Sequence, residues 1–423
     1  MVVKRKKLVS SALCFVLGAA TICGCSNAAG GAFDLYQPLH NSLNQGKYDE
    51  LIGLCNESLR VSPDDAESLA YRGAAERHLG KYVEAKADLL KAISLNASQG
   101  WYHRELGDVY LQSGKNEDAL RAFLKAMTLV SDSAGKAQLH SAMALAYERL
   151  DEPEKSIQEA DEALKMVPTQ NYTYQTRAYA YLKLNEIERA LSDANKSVEL
   201  DNGNVNAYTS RAVVYLFAGD FERATADAQK SLSLDRNCLH ATEVLSAINL
   251  AQGKYVDALK FADQLIEKYP KSVVGYDEKA VCCLAMNDLA QARKLIDKAL
   301  ELNASDQRAI EAELLFEAKS GDETKVAEQL SRLEKILGGS RRIARDRALA
   351  MLLLKKYKEA IEYCTEVIGR EGKSPSLYRI RSEAYMQLQK NDLADADMKK
   401  ALAQGYVRAC VLERYLTIPE RTD

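Results

Sequence analysis

The sequence predicts an all-α fold of stacked helical hairpins, and three observations carry the prediction. The 423 residues include only seven prolines and 22 glycines, too few for a loop-rich β chain, while 47% are hydrophobic and 28% charged, as in a folded chain that is not multiply membrane-spanning. Turn-forming residues recur every 34 positions. Small residues recur at fixed places on either side of each turn, which is what close approach of two helices requires.

The first element is a leader. Lys4, Arg5, Lys6 and Lys7 precede an uncharged apolar run over residues 8–22, the length of a signal h-region and short for a spanning helix. Ile22-Cys23-Gly24-Cys25 resembles the bacterial lipobox, with an aliphatic residue at −3, a small one at −1 and the Cys that takes the lipid. Cys25 fits; Cys23 departs from the pattern, since the family usually carries Ala, Ser or Thr at −2. The reading is a signal peptide over 1–24 and a lipid-anchored linker over 25–31, with a plain cleaved signal and an uncleaved anchor as the other readings. Loss of residues 1–24 leaves 53 basic against 60 acidic residues. Such a chain has no basic field to grip phosphates, so a nucleic-acid partner is not expected.

The repeats follow. Gly46, Gly80 and Gly114 stand 34 apart, as do Asp151, Asn185, Gly219, Gly253, Asn287, Gly321, Lys355 and Gln389; only the step from Gly114 to Asp151 is longer, by three. Nine of these eleven are Gly, Asn or Asp, residues that tolerate the left-handed conformation ending a helix. Large residues stand eleven before the turn at many of these, among them Tyr174, Tyr208 and Tyr378, and Ala follows five after most. The pattern resembles the tetratricopeptide repeat, plainest in Leu106-Gly107, Tyr110, Gly114, Ala119, Phe123 and Ala126. That resemblance implies a right-handed superhelical solenoid of about eleven helix-turn-helix repeats over 32–408, starting at residues 32, 66, 100, 137, 171, 205, 239, 273, 307, 341 and 375, with 134–136 as an insertion.

Position 8 of the repeat is Gly, Ala or Ser in nine repeats, and position 20 is Ala or Ser in nine. The exceptions are Leu39 with Leu51 in the first repeat and Leu314 with Val326 in the ninth, which predicts a wider helix pair in each. Pro38 inside the first helix suits an atypical end cap. Gly338-Gly339-Ser340 after repeat nine predicts a bend at 338–340.

Arg72, Arg177, Arg211 and Arg381 hold position 7, and those four repeats alone carry Asp at position 23: Asp88, Asp193, Asp227 and Asp397. They are read as structural ion pairs between facing helices, bidentate where geometry allows. Arg347 lacks its Asp, having Tyr363 instead. Residues 409–423 read as a capping helix and tail.

Leader, repeats and tail account for the whole length, leaving no separate catalytic domain. There is no Walker A loop, no GxSxG, no CxxC and no HxxxH pair, so no metal or cofactor is expected and the chain reads as no enzyme. Of the cysteines, Cys55, Cys238, Cys282, Cys283, Cys364 and Cys410 read as buried reduced thiols in preference to disulfides.

A repeat solenoid without catalytic residues displays an extended surface to other proteins. The expectation is an envelope-anchored scaffold or adaptor, held to a membrane by the lipid and facing the periplasm if the source has two membranes. Ser26, next to the anchor, resembles the signal for outer-membrane transfer. The alternatives are a binding module for a glycan or exported polymer, and an assembly factor for a pilus or secretion system. Position 9, from His40 to Glu383, is never Asn, so the carboxylate clamp of cytosolic co-chaperone repeats is absent. The resemblance assigns the partner groove to helix-A positions that here are Tyr172, Gln175, Thr176, Tyr179, Asn206, Thr209 and Ser210, a mixture suited to an extended peptide, a helix or a sugar chain. The competing reading has these tyrosines packing between repeats. Glu243, Asp277 and Glu278 in the next two repeats would rather meet a basic segment.

Overall fold

The computed structural model describes residues 36–337, 341–371 and 374–404, and all the elements in these stretches are α-helices. They fall into two compact units dividing after Ser131, at the one place where the repeat period lengthens. The first unit pairs α1 (Gln37–Asn44) with α2 (Tyr48–Val61), α3 (Ala66–His78) with α4 (Tyr82–Leu95), and α5 (Gly100–Gln112) with α6 (Asn116–Met127). The second begins with α7 (Ser133–Arg149) and α8 (Pro153–Met166), α9 (Asn171–Lys183) and α10 (Ile187–Leu200), then α11 (Val205–Phe217) and α12 (Phe221–Leu234). It continues with α13 (Leu239–Ala251) and α14 (Tyr255–Lys268), α15 (Val273–Ala285) and α16 (Leu289–Leu302), and α17 (Gln307–Ser320) and α18 (Glu323–Leu337). The last hairpins are α19 (Arg341–Leu353) with α20 (Tyr357–Glu371) and α21 (Pro375–Gln387) with α22 (Asn391–Ala403). Odd-numbered helices are helix A of each repeat and even-numbered ones helix B.

All eleven turn residues have positive φ, from 57° at Asn185 to 83° at Gly321. In each turn the following N–H donates to the carbonyl five residues back, as Lys115 does to Tyr110 at 2.8 Å, so the left-handed residue closes helix A and satisfies one of its last carbonyls. Lys355 (61°) and Gln389 (58°) adopt this conformation with a full side chain.

Between the helices the small residues are a geometric necessity. A Cβ on Gly107 would stand 2.4 Å from the Phe123 ring, and one on Gly73 would stand 2.9 Å from Leu89. The two repeats without small residues solve the contact differently. Leu39 and Leu51 pack with Cys55 and Ala75, and Leu314 and Val326 are buried with Ile310, Leu330, Leu333 and Ile343.

One expectation is corrected and another takes a definite form. Pro38 lies in the first turn of α1, where its missing N–H has no partner to lose, so the helix starts around it rather than running through it. The insertion at 134–136 is an extra turn at the start of α7, capped by the Asp132 carboxylate, which accepts from Gly135 N at 2.7 Å. Cys25 and the leader, the Gly338–Ser340 joint, and the capping helix with Cys410 lie outside the described residues. No helix among the described residues is long and apolar enough to cross a membrane.

Cys55, Cys238, Cys282, Cys283 and Cys364 are buried free thiols. Burial pushes Cys55 and Cys364 up to about 12, so they behave as small apolar groups rather than nucleophiles.

Candidate functional site

The four position-7 arginines that have an Asp at position 23 are each held from three sides. Arg177 donates from Nε and Nη2 to the two oxygens of Asp193, both at 2.7 Å, and from Nη1 to Asp161 of the preceding repeat at 2.5 Å. Arg72 does the same with Asp88 (2.6 and 2.9 Å) and Asn56 (2.7 Å), Arg211 with Asp227 (2.7 and 2.9 Å) and Asn195 (3.1 Å), and Arg381 with Asp397 (2.6 and 2.9 Å) and Thr365 (2.8 Å). The partners stand 16 residues before and 16 after the arginine in every case. One fork therefore joins helix A to its own helix B and to helix B of the repeat before it. Tyrosine faces flank three of the guanidinium groups, with Tyr174 and Tyr181 at 5.5 and 5.9 Å from Arg177. Arg347, without its Asp, pairs instead with Glu334.

These forks fix the stacking and leave the opposite face of each helix A to line a surface. The predicted groove residues divide there. Tyr172 is half exposed and Asn206 is exposed. Gln175 is buried and donates to Ser197 Oγ at 3.1 Å, Thr176 donates to the Tyr172 carbonyl at 3.2 Å, and Thr209 shares a 2.8 Å bond with Ser231. Tyr179 bonds with the buried Ser210 of the next repeat, and burial raises its hydroxyl to about 12. Tyr179 thus packs between repeats, as the competing reading had it, whereas Tyr172 stays half exposed.

Two and three repeats on from Tyr172, the same face is acidic. Glu243 of α13 is 9% exposed, Asp277 of α15 is 3% exposed, and Glu278 lies half-buried beside it. Arg308 of α17, with its side chain 49% exposed, reaches back two repeats to pair with Glu243, whose other oxygen lies 3.0 Å from His240 Nδ1. Burial opposes the charge on Glu243, but His240 and Arg308 hold its carboxyl down at about 2. For Asp277 and Glu278 the pull of Arg308 is outweighed. Burial, reinforced by the neighbouring Asp306, pushes Asp277 up to about 8, and burial with Glu243 nearby pushes Glu278 up to about 7. Neither oxygen of Asp277 meets a hydrogen-bond donor, and Oε2 of Glu278 meets none.

Beyond this cluster the sign changes. Arg379 of α21 is 7% exposed with its Nη1 unsatisfied, and Arg345 of α19 bonds Asp346 at 2.7 Å. In the first unit, Glu105 is clasped by Arg77 at 3.1 Å and Arg104 at 2.9 Å, while burial and Glu105 push the adjacent Asp108 up to about 7. Among the described residues no group of three or more His, Cys, Asp or Glu is placed to hold a metal ion.

Models of the tetratricopeptide repeat match residues 104–171, 172–204, 209–273 and 249–314. These segments are tetratricopeptide repeats. Six of the eleven left-handed turn residues lie inside them, from Gly114 to Asn287. The tetratricopeptide region is 31% identical over 106 residues to small glutamine-rich tetratricopeptide repeat-containing protein 2 of Saccharomyces cerevisiae, a match covering 25% of this chain and 31% of that one. It is 29% identical over 89 residues to DnaJ protein P58IPK homolog B of Oryza sativa subsp. japonica, covering 21% of this chain and 19% of that one. The chain thus spans a third or less of the relatives it matches. A tetratricopeptide repeat protein from Parabacteroides merdae superposes with a TM-score of 0.47 at 17% identity, over 60% of this chain and 99% of that one.

Proposed function

We propose that this chain is a non-catalytic scaffold that binds other proteins through the helix-A face of its tetratricopeptide repeats and is tethered to a cell envelope by a lipid on Cys25. The observation that carries the reading is the division of labour on helix A. One side is committed to the arginine forks and the small-residue contacts, and the other carries an exposed aromatic, Tyr172, an exposed amide, Asn206, and carboxyls without donors. Tetratricopeptide repeats bind proteins or peptides, and such a mixed polar and aromatic surface suits an extended segment or a helix. The acidic charge balance argues against nucleic acid.

Pull-down after crosslinking in intact cells tests the binding face. Tyr172→Ala with Asn206→Ala removes two side chains that reach solvent, so the variant should keep its helicity, melt close to the wild type and lose its captured protein. Capture that survives in the folded variant would move the interaction to another surface. A glycan array on the same pair of proteins separates the polymer-binding reading, which Tyr172 alone favours. For the tether, Cys25→Ala should move the protein from the membrane fraction to the soluble one; wild-type protein already soluble, with an unacylated N-terminal peptide, would end that part of the proposal.

A further inference from the structure

We propose that Glu243, Asp277, Glu278 and Asp306 form a socket for a lysine or arginine side chain of an extended partner segment, with Arg308 holding the place in the free chain. The inference rests on the protein-binding reading and specifies what the surface takes. Its core is Asp277, a carboxyl 3% exposed whose oxygens meet no donor. At the same place in the two hairpins α9–α10 and α11–α12, the fold supplies partners: Gln175 has Ser197 and Thr209 has Ser231. Around Asp277 the matching helix-B residue is Ala299, whose side chain has no polar atom, and the residue just before the next repeat is Asp306. Asp306 already accepts from Ala309 N at 3.1 Å as the cap of α17, and its carboxyl lies against that of Asp277. Two carboxyls in contact cannot both be charged without a cation between them. The fold therefore gains nothing from an acid at this point and is burdened by one.

What the carboxyls hold in the free chain shows the chemistry they suit. The Arg308 guanidinium faces Glu243, Asp277 and Glu278 together, arriving from two repeats away on a side chain half exposed to solvent. One guanidinium and one imidazole, that of His240, stand against four carboxyl groups, and the half-exposed Arg308 is the group an entering cation would replace. A cationic side chain entering here would give Asp277 the donor it lacks, and a buried carboxylate paired with a cation forms the stronger class of hydrogen bond.

The test uses the full-length chain and two fluorescent, unstructured peptides of repeated Gly-Ser-Arg or Gly-Ser-Glu units, followed by anisotropy. The arginine peptide should bind and the glutamate peptide should not. Asp277→Asn with Glu278→Gln should weaken binding at least about tenfold while raising the melting temperature. Arg308→Ala should strengthen binding by removing the internal occupant. Neutralising two exposed acids on helices B, Glu267→Gln with Glu366→Gln, should leave it unchanged. Equal affinity of wild type and the Asp277/Glu278 variant, loss of binding in the Glu267/Glu366 control, or displacement of the peptide by millimolar calcium would each overturn the inference. A chain that captures proteins in cells through Tyr172 and Asn206 but ignores the arginine peptide loses this inference and keeps the scaffold reading.

Discussion

Arg177 grips Asp193 with two parallel bonds of 2.7 Å, and its third nitrogen reaches Asp161 on the neighbouring hairpin. The side chains of Arg177 and Asp193 are 18% and 8% exposed, while Asp161 is 44% exposed. Removing the buried partner strands a guanidinium, so Asp193→Ala should destabilise by about 3 kcal/mol, and Asp161→Ala by less than about 1 kcal/mol. A double-mutant cycle on Arg177 and Asp193, read by chemical denaturation, should give a coupling above about 1 kcal/mol. A coupling near zero would remove the fork from the account of stacking.

The turns supply a second prediction. Lys355 and Gln389 occupy a left-handed conformation that disfavours any side chain, by about 1 kcal/mol relative to glycine. Lys355→Gly and Gln389→Gly should each raise stability by up to that amount, and Gly114→Ala should lower it similarly. Thermal melts of the three variants check the sign, and a stabilised Gly114→Ala would contradict the turn geometry.

The hairpin interior supplies a third. With the Gly107 Cβ site 2.4 Å from the Phe123 ring, Gly107→Ala should cost about 1–3 kcal/mol. Adding Phe123→Leu should recover part of the loss, because the obstruction is the ring. Denaturant midpoints of the single and double variants measure this directly.

The acidic face predicts a pH dependence. Asp277 is raised from 3.8 to about 8 by burial first and by Asp306 next, with Arg308 opposing the shift and Glu278 adding to it. Between those two values the folded chain binds more protons than the unfolded one, so this group's contribution to stability is greatest below the unfolded value and falls as pH rises toward about 8. Asp277→Asn should therefore stabilise by about 1–3 kcal/mol at alkaline pH and by little in mild acid. Denaturation at the two pH values gives both numbers. A variant destabilised at alkaline pH would mean that the carboxylate is a partnered structural group.

Much of this was legible in the sequence because a repeat states its geometry many times over. The 34-residue spacing placed all eleven left-handed turns, and the co-occurrence of Arg at position 7 with Asp at position 23 placed the bidentate contacts. The third arm of each fork was missed, although its signal was present: Asn56, Asp161, Asn195 and Thr365 all stand 16 residues before an arginine. The surface was harder. Periodicity says which side of helix A a residue occupies but not how deeply the next hairpin covers it. Gln175, Thr176, Thr209 and Ser210 are therefore buried where an open groove was expected, with Ser197 and Ser231 on helix B as the only hint of internal partners. Pro38 misled for a local reason, since a proline reads as a helix breaker unless the helix start is known.

The binding claim is tested most directly by site-specific photocrosslinking in living cells. A photoreactive residue in place of Tyr172, on helix A, is compared with one in place of Glu366, exposed on helix B. A helix-A binding face gives a discrete protein adduct from position 172 and none from position 366. Adducts from position 366 alone would contradict it, placing the partner on the other face of the hairpins.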